Sequence, residues 1–504
     1  MFRRILVANR GEIAVRLIRA CRDLGIGAVA VYSTADRDAL HVRMADRACP
    51  VGDAPATESY LRIDRLIEAA QRTDCDAVHP GYGFLAENPD FAAACEAAGL
   101  VFIGPGAEAM ELMGDKIAAR RAVSQVGVPT VPGSERPVQS PAEALEVARR
   151  IGFPVLVKAS AGGGGKGMRV VEDERSLADA LSIASAEAAS AFANPSVYLE
   201  RYLKRPRHIE VQILGDSQGN LLHLGERECS IQRRHQKLVE ECPSPIVTSR
   251  LRDELGEAAL AVARAAGYRN AGTVEFLVDA DEEGEVRNYY FLEMNTRLQV
   301  EHPVTEMVTG LDLVCEQIRI AAGEPLGFDQ KEVGWSGSAM ECRVYAEDPD
   351  QGFLPSPGPL RGLVEPAGPG VRNDSGVYEG FVIPVEYDPL ISKTVAHGRD
   401  RDQAIGRLFR ALGEYRILGV STTIPLFRRL LAHPAFRAGR LHTDFLSEHG
   451  LTDPVPEDGN LGEVVAVAVA ALEDLAARPE RDPGRSSGRR GRSAWRESAR
   501  RQWP

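Results

Sequence analysis

Glu293-Met294-Asn295-Thr296-Arg297-Leu298-Gln299-Val300-Glu301-His302 directly follows the apolar run Tyr289-Tyr290-Phe291-Leu292. The apolar run reads as a buried strand, and strand side chains alternate between faces. Glu293 and Asn295 then share a face, joined by Arg297 if the strand persists that far. Upstream, Thr273-Val274-Glu275-Phe276-Leu277-Val278 reads as a second strand and sets another carboxylate, Glu275, in an apolar context. Buried carboxylates are costly unless paired or bound to metal. Two of them on core strands, beside the Asn295 carboxamide, suit a hard cation such as Mg2+ with a phosphate ligand. The same residues are equally consistent with two structural salt bridges.

A glycine-rich segment shifts that balance toward phosphate. Val155-Leu156-Val157-Lys158-Ala159 leads through Gly162-Gly163-Gly164-Gly165-Lys166-Gly167 into Met168-Arg169-Val170-Val171. The pattern is strand, flexible loop, strand. Glycines let the backbone approach a ligand closely and turn consecutive N–H groups toward phosphate oxygens. Lys158, at the end of the first strand, adds a point charge. The Walker order of Gly-Lys-Ser/Thr before a helix is missing, and a strand rather than a helix follows, which excludes a dinucleotide fingerprint. An ordinary hairpin turn has little use for so many glycines.

Between the two regions lies Glu226-Arg227-Glu228-Cys229-Ser230-Ile231-Gln232-Arg233-Arg234-His235-Gln236-Lys237. Such charge runs are usually solvated faces, and that is the expectation for most of these residues. His208, in Arg207-His208-Ile209-Glu210-Val211-Gln212, sits on an expected strand, where a satisfied core histidine is as good a reading as a ligand.

A glycine flap, a lysine before it and two metal-type carboxylates on later strands resemble the ATP-grasp superfamily. Several words are narrower. Lys158 to Arg169, Gln232-Arg233-Arg234-His235-Gln236-Lys237 and Glu293 through Glu306 closely resemble biotin carboxylase. So do Arg4-Ile5-Leu6-Val7-Ala8-Asn9-Arg10-Gly11-Glu12-Ile13-Ala14, His79-Pro80-Gly81-Tyr82-Gly83-Phe84-Leu85-Ala86-Glu87-Asn88, Glu341-Cys342-Arg343 and Ala346-Glu347-Asp348-Pro349. The resemblance runs from about residue 1 to about residue 448.

The resemblance implies a mixed α/β and α+β fold: a parallel α/β domain over 1–113, an ATP-grasp domain over 114–335 with a Gly-rich lid over about 131–204, and a β-rich C-terminal domain over 336–448. It implies ATP-dependent carboxylation of biotin by bicarbonate through carboxyphosphate. Glu275 and Glu293 are then the ligands of Mg2+ (or Mn2+), with Asn295 in support. Lys116, Lys158 and the backbone of Gly162, Gly163, Gly164 and Gly165 meet the phosphates, and Met168, Glu200, Leu203, His208, Gln232, His235 and Leu277 complete the ATP site. Arg297 holds bicarbonate, Glu301 is its general base, Lys237 stands beside the γ-phosphate, and Gln299 and the Val300 N–H border the anion. Arg343 stabilises the biotin enolate, with Tyr82 and Gly83 on the biotin side. The bland reading of Glu301 is a surface carboxylate paired to Arg297. Competing functions are another ATP-grasp ligase or a non-catalytic nucleotide-binding scaffold.

The remaining features bound the problem. The chain has 504 residues, 44% hydrophobic and 26% charged, enough for two to four domains. Ile5-Leu6-Val7-Ala8, a helix with Ile13, Leu17, Cys21 and Leu24 on one face, and Val29-Ala30-Val31-Tyr32 read as a βαβ unit with a parallel sheet. Arg3 and Arg4 precede only four apolar residues before Asn9, so no signal peptide is expected, nor a membrane span. Eight cysteines without CxxC spacing argue for reduced thiols in a cytoplasm. A net charge of -12 gives no reason to expect nucleic acid. No methionine is followed by lysine, so the biotin is expected on a separate carrier protein, with a carboxyltransferase as second partner. A homodimer is expected, with Arg16, Arg19 and Phe381 as first candidates for its contacts. Beyond 449, an Ala/Val-rich helix over 461–477 precedes a tail, 478–504, with nine arginines against three acids, expected to be solvated rather than a docking segment. The final acceptor is expected to be acetyl-CoA or propionyl-CoA, toward which Lys166 leans slightly, with pyruvate as the alternative.

Overall fold

The computed structural model describes residues 1–134, 136–159, 168–192, 194–281 and 284–454. Gly162, Gly163, Gly164, Gly165 and Lys166, and the helix and basic tail expected beyond 454, lie outside the described residues.

The N-terminal βαβ reading holds. Arg4–Val7 (β1) pairs in parallel with Gly27–Ser33 (β2) and Ala77–His79 (β4), and Arg47–Gly52 (β3) and Val101–Phe102 (β5) complete the order β3-β2-β1-β4-β5. Between β1 and β2 the helix Gly11–Asp23 buries Ile13, Leu17 and Cys21, and Leu24 caps it. The Asn9-Arg10-Gly11-Glu12 turn joins β1 to that helix, at the strand end where α/β sheets place ligands.

The segment around the glycine loop is a small layer of its own. Val155–Ala159 (β6) lies between Arg169–Val171 (β7) and Val197–Arg201 (β8), antiparallel to both. Helices Pro141–Ile151 and Glu174–Phe192 cover it, with Ala144, Val147, Leu177 and Leu181 packed on Val155, Val157 and Leu199. The first helix starts where its sequence dictates. Ser140 accepts from the Glu143 N–H, Glu143 accepts in return from the Gln139 N–H, and Pro141 supplies a preset φ.

The body is an eight-stranded antiparallel sheet. It contains Arg207–Gly215 (β9), Leu221–Arg233 (β10), Gln236–Cys242 (β11), Asn270–Ala280 (β12), Val286–Asn295 (β13) and Ser338–Tyr345 (β14). Short ribbons follow: Glu347–Asp348 (β15) with Leu354–Pro355 (β16), Gly358–Pro359 (β17) with Val382–Ile383 (β20), and Gly362–Val364 (β18) with Arg416–Leu418 (β22). Val371–Ser375 (β19) and Leu390–Gly398 (β21) complete the large sheet in the order β13-β12-β9-β10-β11-β14-β21-β19. The C-terminal part is therefore β-rich as expected, though helices Arg401–Glu414 and Ile424–Ala432 cover it. Gly376 serves close approach rather than a turn: a Cβ there would lie 2.5 Å from the Glu12 N.

The charged run 226–237 is not a solvated face. Residues 226–232 are buried in the end of β10, and the run exposes only Arg234 and His235, at the hairpin into β11. Neighbours supply the countercharges: Arg252 for Glu226, Glu210 for Arg227, and Arg207 for Glu228. Arg16 and Phe381 are also buried within the chain, Arg16 against Glu306 and Asp312 and Phe381 in the C-terminal core. Of the three residues expected at a dimer contact, only Arg19 is exposed. All eight cysteines are buried and unpaired, and no helix among the described residues is long and apolar enough to cross a membrane.

Candidate active site

One cavity of about 770 Å³ gathers most of the expected site. Lys158, Met168, Glu200 and Leu203 border it from the three-stranded layer. Lys116, His208, Gln232, His235, Lys237, Glu275, Leu277, Glu293, Asn295, Arg297, Gln299, Val300 and Arg343 line it from the body. Tyr82 and Gly83 do not line it. They follow β4, where the Tyr82 carbonyl accepts from Asn9 and its ring lies 5.6 Å from Lys393 Nζ.

Strand periodicity places the floor. His208, Glu210 and Gln212 alternate along one face of β9. Across the sheet, Glu275 on β12 stands directly opposite Glu293 on β13. Phe276 pairs with Phe291, so Leu292 is an extra residue on β13; such a bulge re-aims the side chain beside it. The strand ends at Asn295, and Arg297 belongs to the loop beyond. The hairpin between β10 and β11 turns on Arg234 and His235, both in the left-handed region with φ of 48° and 68°. A two-residue hairpin loop requires that conformation at both of its positions, so Arg234 and His235 adopt it despite carrying side chains.

Lys237 is the hub. Its Nζ donates to Glu210 Oε2 (2.5 Å), Glu275 Oε1 (2.9 Å) and Glu301 Oε1 (2.8 Å). Glu301 lies below the cavity floor, fully buried, and its second oxygen accepts from Arg343 at 2.9 Å. The surface pairing of Glu301 with Arg297 is thus overturned. Arg297 instead donates to Glu87 (2.8 Å) and Gln299 (2.9 Å). Burial alone would raise the Glu301 carboxyl, but Lys237, Arg343 and Arg227 outweigh it and hold it well below the carboxylate range. Burial would likewise lower Lys237, and Glu210, Glu275 and Glu301 drive it well above its ordinary value. Glu240 Oε1 stands 2.6 Å from the same Arg343 nitrogen, Nη2.

The Glu275–Glu293 pair fits a divalent cation. Burial and the Glu275 charge push the Glu293 carboxyl up, and no hydrogen bond or ion pair among the described residues engages it. Glu275 is held low, its burial outweighed by Lys237 and His208, and it accepts from Asn295 Nδ2 at 2.7 Å. A hard cation between the two carboxylates would relieve their repulsion and take oxygen ligands, as Mg2+ does.

On the side of the three-stranded layer, Lys158 Nζ meets Glu200 Oε2 at 2.5 Å, and Arg120 takes the other oxygen. The Glu200 side chain is therefore occupied by cations. Gln232 Nε2 contacts His208 Nδ1 at 2.8 Å.

Sequence reasoning gave no role to Glu87, Arg120, Glu210, Arg227 or Glu240. The alternation His208, Glu210, Gln212 on an expected strand was a usable signal for Glu210. Glu87 sat inside a quoted motif. Arg227 sat inside the quoted charged run, read there as solvated, and nothing local marks Arg120 or Glu240.

An antiparallel body beneath a three-stranded flap, with lysines and opposed carboxylates in the cleft, defines an ATP-grasp ligase. Residues 1–110 match the biotin carboxylase N-terminal domain, 115–328 the carbamoyl-phosphate synthase L chain ATP-binding domain, and 341–448 the biotin carboxylase C-terminal domain. A pyruvate carboxylase subunit of Methanothermobacter thermautotrophicus is 54% identical over 449 residues, 89% of this chain and 90% of that one. Biotin carboxylase 1 of Bacillus subtilis is 52% identical over 89% of this chain and 99% of its own. The crystal structure of the 2-oxoglutarate carboxylase biotin carboxylase domain dimer of Hydrogenobacter thermophilus, in complex with MgADP, ADP and bicarbonate, superposes with a TM-score of 0.85 at 47% identity. It covers 90% of this chain and 99% of that chain. The chain belongs to the biotin carboxylase family, and its activity is the ATP-dependent ligation that defines that family.

Proposed function

We propose that this chain carboxylates biotin presented by a separate carrier protein, and that a carboxyltransferase partner passes the group to acetyl-CoA or propionyl-CoA. The observation that carries the reading is the buried Lys237–Glu301–Arg343 chain under a cavity with opposed carboxylates. The partition into 1–113, 114–335 and 336–448 is part of the same proposal, as is a homodimer, which the related 2-oxoglutarate carboxylase domain forms.

Bicarbonate enters as an anion beside Arg297, whose fork matches it in two bonds. Glu301 takes its proton. A base held so low is weak while Lys237 and Arg343 are its own. An arriving anion that shares those cations returns basicity to Glu301 at the moment it is needed. The bicarbonate oxygen attacks the γ-phosphorus, the bond to ADP breaks, and carboxyphosphate forms, with Lys116, Lys158 and Lys237 offsetting phosphate charge. Mg2+ held by Glu275 and Glu293 would supply charge neutralisation on the phosphate oxygens. Carboxyphosphate then splits to CO2 and phosphate, the phosphate removes the ureido proton of biotin, and Arg343 stabilises the resulting enolate. That nitrogen attacks CO2.

A second reading keeps the first half-reaction and makes pyruvate the acceptor. It is favoured by the 54% identity to the Methanothermobacter pyruvate carboxylase chain. ADP formation with ATP, Mg2+, bicarbonate and biotin, omitting each in turn, tests the proposal. Turnover dependent on bicarbonate and accelerated by biotin is expected; turnover indifferent to bicarbonate would overturn it. Adding candidate transferases with acetyl-CoA, propionyl-CoA or pyruvate then separates the acceptors.

A further inference from the structure

Arg227 is fully buried in the middle of β10, and its guanidinium reaches three other elements. Nε donates to Glu210 Oε1 (2.5 Å), Nη1 to Gln212 Oε1 (2.7 Å) and Thr305 Oγ1 (3.0 Å), and Nη2 to Thr273 Oγ1 (3.1 Å). Burying an arginine and a carboxylate together adds little stability over well-packed apolar groups, so the pair calls for another reason. Two of its partners lead to the reaction centre. The second oxygen of Glu210 meets Lys237 Nζ at 2.5 Å. Thr305 lies on the helix His302–Thr309, whose N-cap residue is Glu301.

We propose that Arg227 is a positioning residue for the carboxylation step: one arm of its fork fixes Glu210 and through it Lys237, while another ties down the helix that begins at Glu301. The two arms together set the separation between the Lys237 ammonium and the Glu301 carboxylate. Arg227 does not line the cavity, and Glu210, its cross-strand partner, stands between it and Lys237. Only the planar, multidentate guanidinium can serve Glu210, Gln212, Thr273 and Thr305 at once; an ammonium is a point charge. The inference rests on the roles given above to Lys237 and Glu301.

The test compares the full-length wild type with Arg227→Gln, Arg227→Lys and Thr305→Val. It measures kcat and KM for bicarbonate-dependent ATP cleavage, MgADP dissociation constants and thermal midpoints. Displacement of reacting groups by fractions of an ångström costs rate rather than ground-state binding. Arg227→Gln is therefore expected to lose more than about tenfold in kcat with MgADP affinity within about threefold of wild type. Arg227→Lys keeps the charge on Glu210 and recovers part of that loss. Thr305→Val leaves the Glu210 arm intact and loses about threefold. An Arg227→Gln enzyme that folds and turns over within about twofold of wild type overturns the proposal, as does a parallel loss of turnover and nucleotide affinity. If Arg227→Gln does not fold, Thr305→Val decides: a lower kcat at constant nucleotide affinity supports the proposal, and an unchanged kcat overturns it. A wild-type chain without bicarbonate-dependent cleavage would instead overturn the functional reading beneath it.

Discussion

The two large sheets of this chain solve burial in opposite ways. In the N-terminal parallel sheet, Ile5, Leu6, Val7, Val29, Ala30 and Val31 are fully buried, and each stabilises the fold by leaving water, whatever its neighbours. The antiparallel sheet buries Glu210, Arg227, Glu228, Glu240, Glu241, Glu341 and Lys393 to 2% exposure or less. None of these gains by leaving water alone. Most depend on partners elsewhere in the sequence, as Arg343 depends on Glu240 and Glu301, while neither Glu341 oxygen has a hydrogen-bond partner among the described residues. The first sheet rests on apolar burial, Ile5 and Val7 sharing a cluster with Leu214 and Leu224 of the second, whereas the second gives up stability to hold charges in fixed relation, the usual signature of a site built for chemistry.

Substitutions should divide along that line. Glu301→Gln removes the proposed base and is expected to lower kcat by about 10²- to 10⁴-fold, with a thermal midpoint close to wild type. A large drop in midpoint with kcat preserved in the folded fraction would erase the contrast. Leu6→Ala should do the reverse, costing about 2–5 kcal/mol of stability while the folded enzyme turns over normally; a matching fall in kcat would show that the sheets are not independent.

Glu12 sharpens the comparison, because it is a buried carboxylate against Lys393 where the two regions meet. Burial raises its carboxyl from 4.5 to about 7, with Lys393 opposing. The protonated form suits the fold, so the raised value favours stability below pH 4.5, and that contribution is lost as pH rises through about 7. The displacement corresponds to roughly 3 kcal/mol. Glu12→Gln should therefore gain on wild type in thermal midpoint between pH 5 and pH 8, and an equal difference at both values would refute the assignment. The smallest effect is expected from Glu87→Gln. Glu87 is exposed and orients Arg297 from outside the cavity. Its loss should raise the KM for bicarbonate about three- to tenfold with little change in kcat; a kcat effect exceeding the KM effect would move Glu87 into the reaction itself.

What the sequence disclosed follows the same division. The βαβ unit, the strands around the glycine loop and the opposed Glu275 and Glu293 strands were legible because periodicity and loop composition are local signals. The run 226–237 misled because the sequence of a charged strand carries no mark of the countercharges that bury it. Arg252, Arg207 and Glu210 neutralise it, and only the fold brings them there. The partner of Glu301 was obscured for the same reason: Arg297 is close in sequence, yet the chain leaves β13 at Asn295 and turns Arg297 toward Glu87. Arg16 and Phe381 looked like surface contacts until packing consumed them.

The pairing of β11 with β14 sets Val239 beside Cys342 and Glu240 beside Glu341. A chain still being synthesised already contains Lys237 and Glu301 when residue 301 has emerged, but it has no Arg343 until β14 closes on β11. The reactive constellation is thus completed late in synthesis. The proposed enolate partner of biotin therefore joins the site only with β14, after every residue proposed to meet ATP and bicarbonate has been made.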